Sequence, residues 1–141
     1  MKPRGNKYTN DWATPAYLYN KLNEEFNFNF DPCPFLHDKK EWDGLLIDWG
    51  SRNFVNPPYS LKEKVAFVEK AVSEANKKKL CVCLLPVSTS TKLFHGTILP
   101  NAKEIRFLEK RVKFSGYNSN NVWVTDKTGM HDSMIVIFDK R

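Results

Sequence analysis

The feature that most narrows the folds open to this chain is a pair of adjacent prolines, Pro57 and Pro58, between a short apolar run and a helix start. Neither proline has a backbone N–H to donate, so the pair fits neither a helix interior nor a central strand. Phe54-Val55 before it reads as a strand end. Ser60-Leu61-Lys62-Glu63 after it reads as a capping box, with Val65, Val68, Val72 and Ala75 as the apolar stripe of a following helix. The segment is therefore a stiff strand-to-helix elbow at the rim of a sheet, presenting the Asn56 amide, the Pro57 carbonyl and the Tyr59 ring in fixed order.

The rest of the chain alternates strand and helix signals. Thr14-Pro15 reads as an N-cap followed by an N1 proline, and Leu18, Leu22 and Phe26 recur every fourth residue, predicting a helix over about 15–25. Phe28 and Phe30 alternate with asparagines, a short strand that ends at Asp31-Pro32-Cys33-Pro34. Residues 35–52 look irregular, with a short strand near Leu45–Ile47. The Val68 helix ends in Lys77-Lys78-Lys79, a solvated helix end. Leu80–Leu85 is continuously apolar, as in a central parallel strand buried on both faces. A short helix about Lys92–Leu99 follows, with Ser88–Thr91 as its cap. Glu104–Lys113 and Met134–Phe138 read as strands, with Phe107 and Phe114 in the core, and the polar, Asn- and Gly-rich Ser115–Met130 as a functional loop. Alternation of this kind predicts an α/β class with an antiparallel end.

At 141 residues the chain has the size of one domain: a basic, flexible arm over 1–10 and a single folded unit over 11–141. No apolar run approaches a membrane span, and Met1-Lys2-Pro3-Arg4-Gly5 lacks the apolar stretch of a signal peptide. Three cysteines do not make a disulfide framework; Cys81 and Cys83 lie in the apolar run and read as core thiols of a reducing compartment. Cytoplasmic localisation is the expectation, with no membrane partner. His37, His95 and His131 have no metal-ligand spacing with the cysteines, so no metal site is expected. The net charge of +6 favours a polyanionic partner.

An amide oxygen, a free carbonyl and an aromatic ring in this order suit a flat base with an exocyclic amine: Asn56 Oδ1 and the Pro57 carbonyl each accept one amino hydrogen, and Tyr59 stacks on the ring. Asn56-Pro57-Pro58-Tyr59 resembles the Asp/Asn/Ser-Pro-Pro-Tyr motif of amino-group DNA methyltransferases. Further blocks occur in order: Asp11-Trp12-Ala13-Thr14-Pro15, Phe30-Asp31-Pro32-Cys33, Asp43-Gly44-Leu45 with Trp49, Thr89-Ser90-Thr91-Lys92 with Phe94-His95, and Arg106-Phe107 with Arg111 and Phe114. Together they resemble the phage-type DNA N6-adenine methyltransferase family over nearly the whole chain.

The resemblance implies a Rossmann-like methyltransferase sheet, mostly parallel with an antiparallel end and with helices on both faces. It implies S-adenosyl-L-methionine as cofactor, DNA as partner, and the cytoplasm of a bacterial or phage-infected host cell. Asn56, Pro57, Pro58 and Tyr59 would be the catalytic residues, acting on a flipped base. Trp12, Thr14, Pro15, Asp31, Pro32, Cys33 and Asp43 would bind the cofactor, with Thr14 and Pro15 near its methionine end and Asp31 on its ammonium group. For the ribose hydroxyls, Glu41, Asp43 and Asp48 are all candidates, Asp43 favoured. Apart from the resemblance, positive and aromatic residues recur between 103 and 123, and of these Arg111, Lys113 and Tyr117 are expected to contact nucleic acid, Arg111 at a phosphate.

The chain departs from most methyltransferases after Asp31, where Cys33-Pro34-Phe35-Leu36 replaces a Gly-rich turn. That departure motivates a second reading, a catalytically silent nucleic-acid-binding domain of the same fold; and because Asn56-Pro57-Pro58-Tyr59 grips the same amine in either polymer, adenine-N6 methylation of RNA or single strands stays open as well. So short a chain also has few elements for reading bases, which points to weak specificity, a homodimer or a partner protein.

Overall fold

The computed structural model describes residues 11–128 and 131–141; the arm expected over 1–10 lies outside them. The first elements are β1 (Trp12–Ala13) and α1 (Ala16–Phe26). Pro15 itself is the N-cap of α1, and Thr14, expected to cap, stands one residue before it with its hydroxyl engaged elsewhere. The helix stops at Asn27, whose left-handed backbone (φ 54°) lets its N–H donate to the Asn23 carbonyl. Leu18 and Leu22 form its buried face.

Next come β2 (Arg52–Val55), α2 (Leu61–Asn76) and β3 (Leu80–Pro86). The buried side of α2 is Phe67, Val68, Ala71, Glu74 and Ala75, so the stripe expected through Val65 and Val72 is rotated slightly towards Phe67. Ser60 makes no side-chain cap bond and donates to Glu63 Oε1 at 3.4 Å instead. The segment after β3 winds as a π-helix over Phe94–Ile98 and continues as α3 (Leu99–Asn101). Thr91 caps it by accepting from the Phe94 N–H at 3.1 Å. The chain ends in β4 (Glu104–Phe107), β5 (Lys113–Tyr117), β6 (Trp123–Thr128) and β7 (Ser133–Asp139).

Strand pairing corrects the expected fold class. The main sheet runs β2-β3-β7-β4, and the ladders of β7 with both β3 and β4 are antiparallel. Among the described residues only β2 and β3 pair in parallel as strands, extended by a one-residue bridge between Phe30 and Asn53 where a strand over Phe28–Phe30 was expected. A second sheet, β1-β5-β6, is wholly antiparallel. The main sheet is thus mixed and largely antiparallel, and the protein is not the mostly parallel Rossmann-like fold expected. A continuous apolar run reports burial on both faces and says nothing of strand direction; direction follows from the path of the connections, and the path through β5 and β6 delivers β7 between β3 and β4.

One face of the main sheet packs on α2 and the π-helix, with Val55, Cys81, Cys83, Leu85, Val136 and Phe138 beneath them. The other packs on α1 together with β1 and β5, burying Phe54, Val82, Leu84, Ile135 and Ile137 against Trp12, Leu18 and Phe114. Phe114 is buried as expected, but Phe107 is 62% exposed at the sheet edge. The segment expected as the loop Ser115–Met130 contains most of the β5–β6 hairpin, its residues 129 and 130 lying outside those described. Its polar residues hid the strands because part of the hairpin faces solvent. Leu45–Ile47 is a turn and not a strand.

Candidate active site

Because Phe30 and β2 run in parallel, the segments that follow them leave the sheet at the same edge. Asp31-Pro32-Cys33 and Asn56-Pro57-Pro58 therefore stand side by side, linked by the Cys33 thiol, which donates to the Asn56 carbonyl at 3.3 Å. Burial pushes that thiol well above the ordinary cysteine range, so it is a neutral donor and no nucleophile.

The third wall is β1. Asn56 Nδ2 donates to the Trp12 carbonyl at 2.7 Å and to Thr14 Oγ1 at 3.0 Å. A carbonyl only accepts, so these bonds fix which end of the amide is nitrogen and turn Oδ1 away from β1. Trp12 serves the site through its backbone, since the residue is only 7% exposed and belongs to the core.

Two clefts flank these residues. The wider, of about 510 Å³, is lined by Pro32, Cys33, His37, Asp43, Gly44, Pro58 and Glu63 among others. The narrower, of about 290 Å³, is lined by Trp12, Thr14, Asp31, Phe35, Phe54 and Asn56 among others. Asp11 and Cys33 line both, so the clefts adjoin.

Asp31 dominates the electrostatics. Burial pushes its carboxyl up to about 6 from an ordinary 3.8, with the neighbouring Asp11 adding to the effect; the Cys33 N–H, donating at 2.9 Å, opposes it. Among the described residues no lysine or arginine pairs with Asp31. A desolvated carboxylate of this kind, at the wall of a cleft, is suited to a cationic ligand such as an ammonium group. Asp11 is likewise raised by burial, against a hydrogen bond from the Leu36 N–H at 2.8 Å.

The loop bearing Asp43 is held by an interior network. Glu74, wholly buried on α2, accepts from the Trp49 N–H at 2.6 Å and from Lys79 at 2.8 Å, while Lys77 lies 2.9 Å from its other oxygen. Burial disfavours the Glu74 anion, but the bonds from Lys79, Trp49 and Lys77 outweigh it and hold the carboxyl down to about 2. The Trp49 indole N–H in turn donates to the Gly44 carbonyl at 2.7 Å. Gly44 lies so close to Pro32 that a Cβ there would overlap the Pro32 carbonyl.

Of the three acids expected near a ribose, Asp43 lines the wide cleft; Asp48 is exposed and pairs with Lys77 at 3.1 Å, and Glu41 is exposed and lines neither cleft. Pro15 also lines neither. Tyr59 packs edge-on against Phe114, ring centres 5.7 Å apart, and is absent from both cleft walls. Arg111 is exposed and paired with Asp132 at 3.1 Å, and Lys113 is exposed at the start of β5. Tyr117 meets Trp123 edge-on at 5.2 Å, and Trp123 reaches Phe35, one of the residues lining the narrow cleft, at 5.7 Å.

Sequence reasoning assigned no role to Asp11, Phe35, Gly44 or His37. Asp11 and Gly44 fall inside blocks already singled out for their resemblance, which was the available signal. Phe35 and His37 sit in an irregular loop and carried none.

Residues 4–141 match the family described as DNA N-6-adenine-methyltransferase (Dam). No curated protein and no solved structure matches the chain. Among the described residues no helix is long and apolar enough to cross a membrane. With residues 4–141 of its 141 matched, the chain belongs to the DNA N-6-adenine-methyltransferase family.

Proposed function

We propose that this protein transfers a methyl group directly to N6 of an adenine turned out of the DNA stack, with Asn56 and the Pro57 carbonyl as the groups that grip the amine. The orientation of the Asn56 amide carries the reading: its nitrogen is engaged by β1, leaving Oδ1 to accept from a base. The adenine amino lone pair is delocalised into the ring, so N6 is a poor nucleophile. Two acceptors, one for each amino hydrogen, draw the nitrogen towards tetrahedral geometry and stabilise the positive charge that forms on it. A base inside a duplex cannot present N6 in this way and must leave the stack.

The residues present fit the cofactor. Asp31 would pair with its ammonium group. The free N–H groups at the start of α1, after Thr14 and Pro15, suit its carboxylate. Asp43, beside Pro32 and Cys33 on the wide cleft, would take the ribose hydroxyls. When bound, S-adenosylmethionine supplies an electrophilic methyl group on a sulfonium. Lys113, Arg111 and Tyr117 would meet the nucleic acid beside the narrow cleft, with Lys113 as a phosphate contact. Tyr59, held edge-on by Phe114, would border the base.

The test compares the protein with Asn56→Ala, using labelled S-adenosylmethionine and duplex DNA, single-stranded DNA or RNA, followed by nucleoside analysis. The expected result is N6-methyladenine from the wild type, reduced about a hundredfold or more by the substitution. No methylation of any polymer, together with no thermal stabilisation by the cofactor, would overturn the reading in favour of a silent binding domain.

A further inference from the structure

We propose, resting on the function above, that Trp12 and Thr14 form an orientation lock on the Asn56 amide: Thr14 is a positioning residue, and position 56 of this chain works only with a neutral, hydrogen-donating side chain. The Asn56 Nδ2 group has two hydrogens, and β1 and its continuation offer it two acceptors, the Trp12 carbonyl at 2.7 Å and Thr14 Oγ1 at 3.0 Å. An amide is planar, so satisfying both turns Oδ1 to the opposite side. Rotating the amide by half a turn would set Oδ1 against the Trp12 carbonyl with no hydrogen between two acceptors.

Neither acceptor has freedom to follow such a rotation. Trp12 pairs with Gly116 of β5, and its ring lies so close to Gly116 that a Cβ there would fall 2.7 Å from Trp12 Cε3 and 2.9 Å from the Asp11 carbonyl. The ring itself is buried in the core. Thr14 precedes Pro15, which restricts it to extended backbone. Its hydroxyl is also free of the capping task, because Pro15 is the N-cap of α1.

The motif that Asn56-Pro57-Pro58-Tyr59 resembles admits Asp as well as Asn at its first position, but this environment does not. In Asn56→Asp, an ionised carboxylate would put a second acceptor oxygen where Nδ2 stands, facing the Trp12 carbonyl. The new side chain must then swing out of place or take up a proton, and only the protonated acid can donate to that carbonyl and leave its other oxygen where the base needs it. A purely steric role for position 56 carries no such proton dependence.

The experiment measures methylation of duplex DNA by the wild type, Asn56→Asp, Thr14→Val and Thr14→Ser, at saturating cofactor, from about pH 8.5 to 5.5. Using the ratio to wild type at each pH cancels titrations common to all four proteins. At high pH, Asn56→Asp is expected to lose about a hundredfold or more, with the ratio climbing as pH falls. Thr14→Val, nearly isosteric but lacking the acceptor, is expected to lower kcat at saturating cofactor by roughly tenfold, and Thr14→Ser to restore it. Equal activity of Asn56→Asp and wild type across the range, or an effect of Thr14→Val on KM alone, would overturn the lock. A readout independent of activity is hydrogen exchange of the Asn56 side-chain amide by NMR. Slow exchange in the wild type and faster exchange in a folded Thr14→Val support the lock, and fast exchange in the wild type overturns it. If the wild type makes no N6-methyladenine, the function proposed above fails while amide exchange still decides the lock.

Discussion

Replacing Asp31 with Asn should stabilise the protein without ligand while weakening its hold on the cofactor. The magnitude follows from burial. Moving the carboxyl from an ordinary 3.8 to about 6 places a penalty of about 3 kcal/mol on the ionised form in the folded state. Asn removes the charge yet keeps an oxygen for the Cys33 N–H, which donates to Oδ1 at 2.9 Å. Partial exposure lets water offset some of the penalty, so a net gain of about 1–3 kcal/mol is expected at pH 8, or roughly 3–9 °C in melting temperature.

The pH dependence of this gain has a defined sign. Between pH 3.8 and about 6 the folded state binds the Asp31 proton more tightly than the unfolded chain does. Stability from this group is therefore greatest at low pH and is lost as pH rises through 6. The gap between variant and wild type should open from about pH 4 to pH 7 and then level off. Paired thermal melts across that range, with and without S-adenosylmethionine, measure it. With the cofactor present the order should reverse, because an ammonium group regains its energy only from the anion; wild-type affinity should also fall below pH 6. An Asn variant that melts at or below wild type at pH 8, or a gap independent of pH, would refute the assignment of Asp31 as a desolvated carboxylate awaiting a cation.

Glu74→Gln should destabilise the protein by about 2–3 kcal/mol, less than the ~3–5 typical of a broken buried pair because Lys77 can turn to solvent; denaturant unfolding measures it. Since Glu74 is held down to about 2, its contribution is present above the ordinary 4.5 and is lost as pH falls towards 2, so wild-type and variant acid-unfolding curves should converge there. Gly44→Ala must push the Asp43 loop off the Pro32 carbonyl, and is expected to cost about 1–3 kcal/mol and to raise the cofactor dissociation constant, as calorimetry would show. Lys113→Ala should weaken DNA binding evenly across sequences and reduce the slope of log affinity against log salt by about one, with cofactor affinity unchanged.

Much of this site could be read from the chain because it is built from local punctuation. Two prolines after an apolar run force an elbow wherever they occur, and Asp31-Pro32 likewise ends an extended segment. The helices of Leu18 and Val68 announced themselves by apolar spacing, and the six apolar residues Leu80–Leu85 by continuity. What the chain could not disclose is which of these local pieces touch. Strand direction was misjudged because apolar runs carry no polarity, and β7 enters between β3 and β4 only through a connection whose hairpin looked like a loop. Thr14 read as a helix cap because its neighbours in sequence form a helix start; its actual partner is 42 residues away. The desolvation of Asp31, the Glu74–Trp49–Gly44 chain that fixes the Asp43 loop, and the orientation of the Asn56 amide all depend on non-local neighbours. The sequence determined the chemical groups and the turns that present them, because those are properties of adjacent residues. Tertiary structure alone decided their protonation and their aim, because burial and hydrogen-bond direction are set by whatever the fold brings alongside.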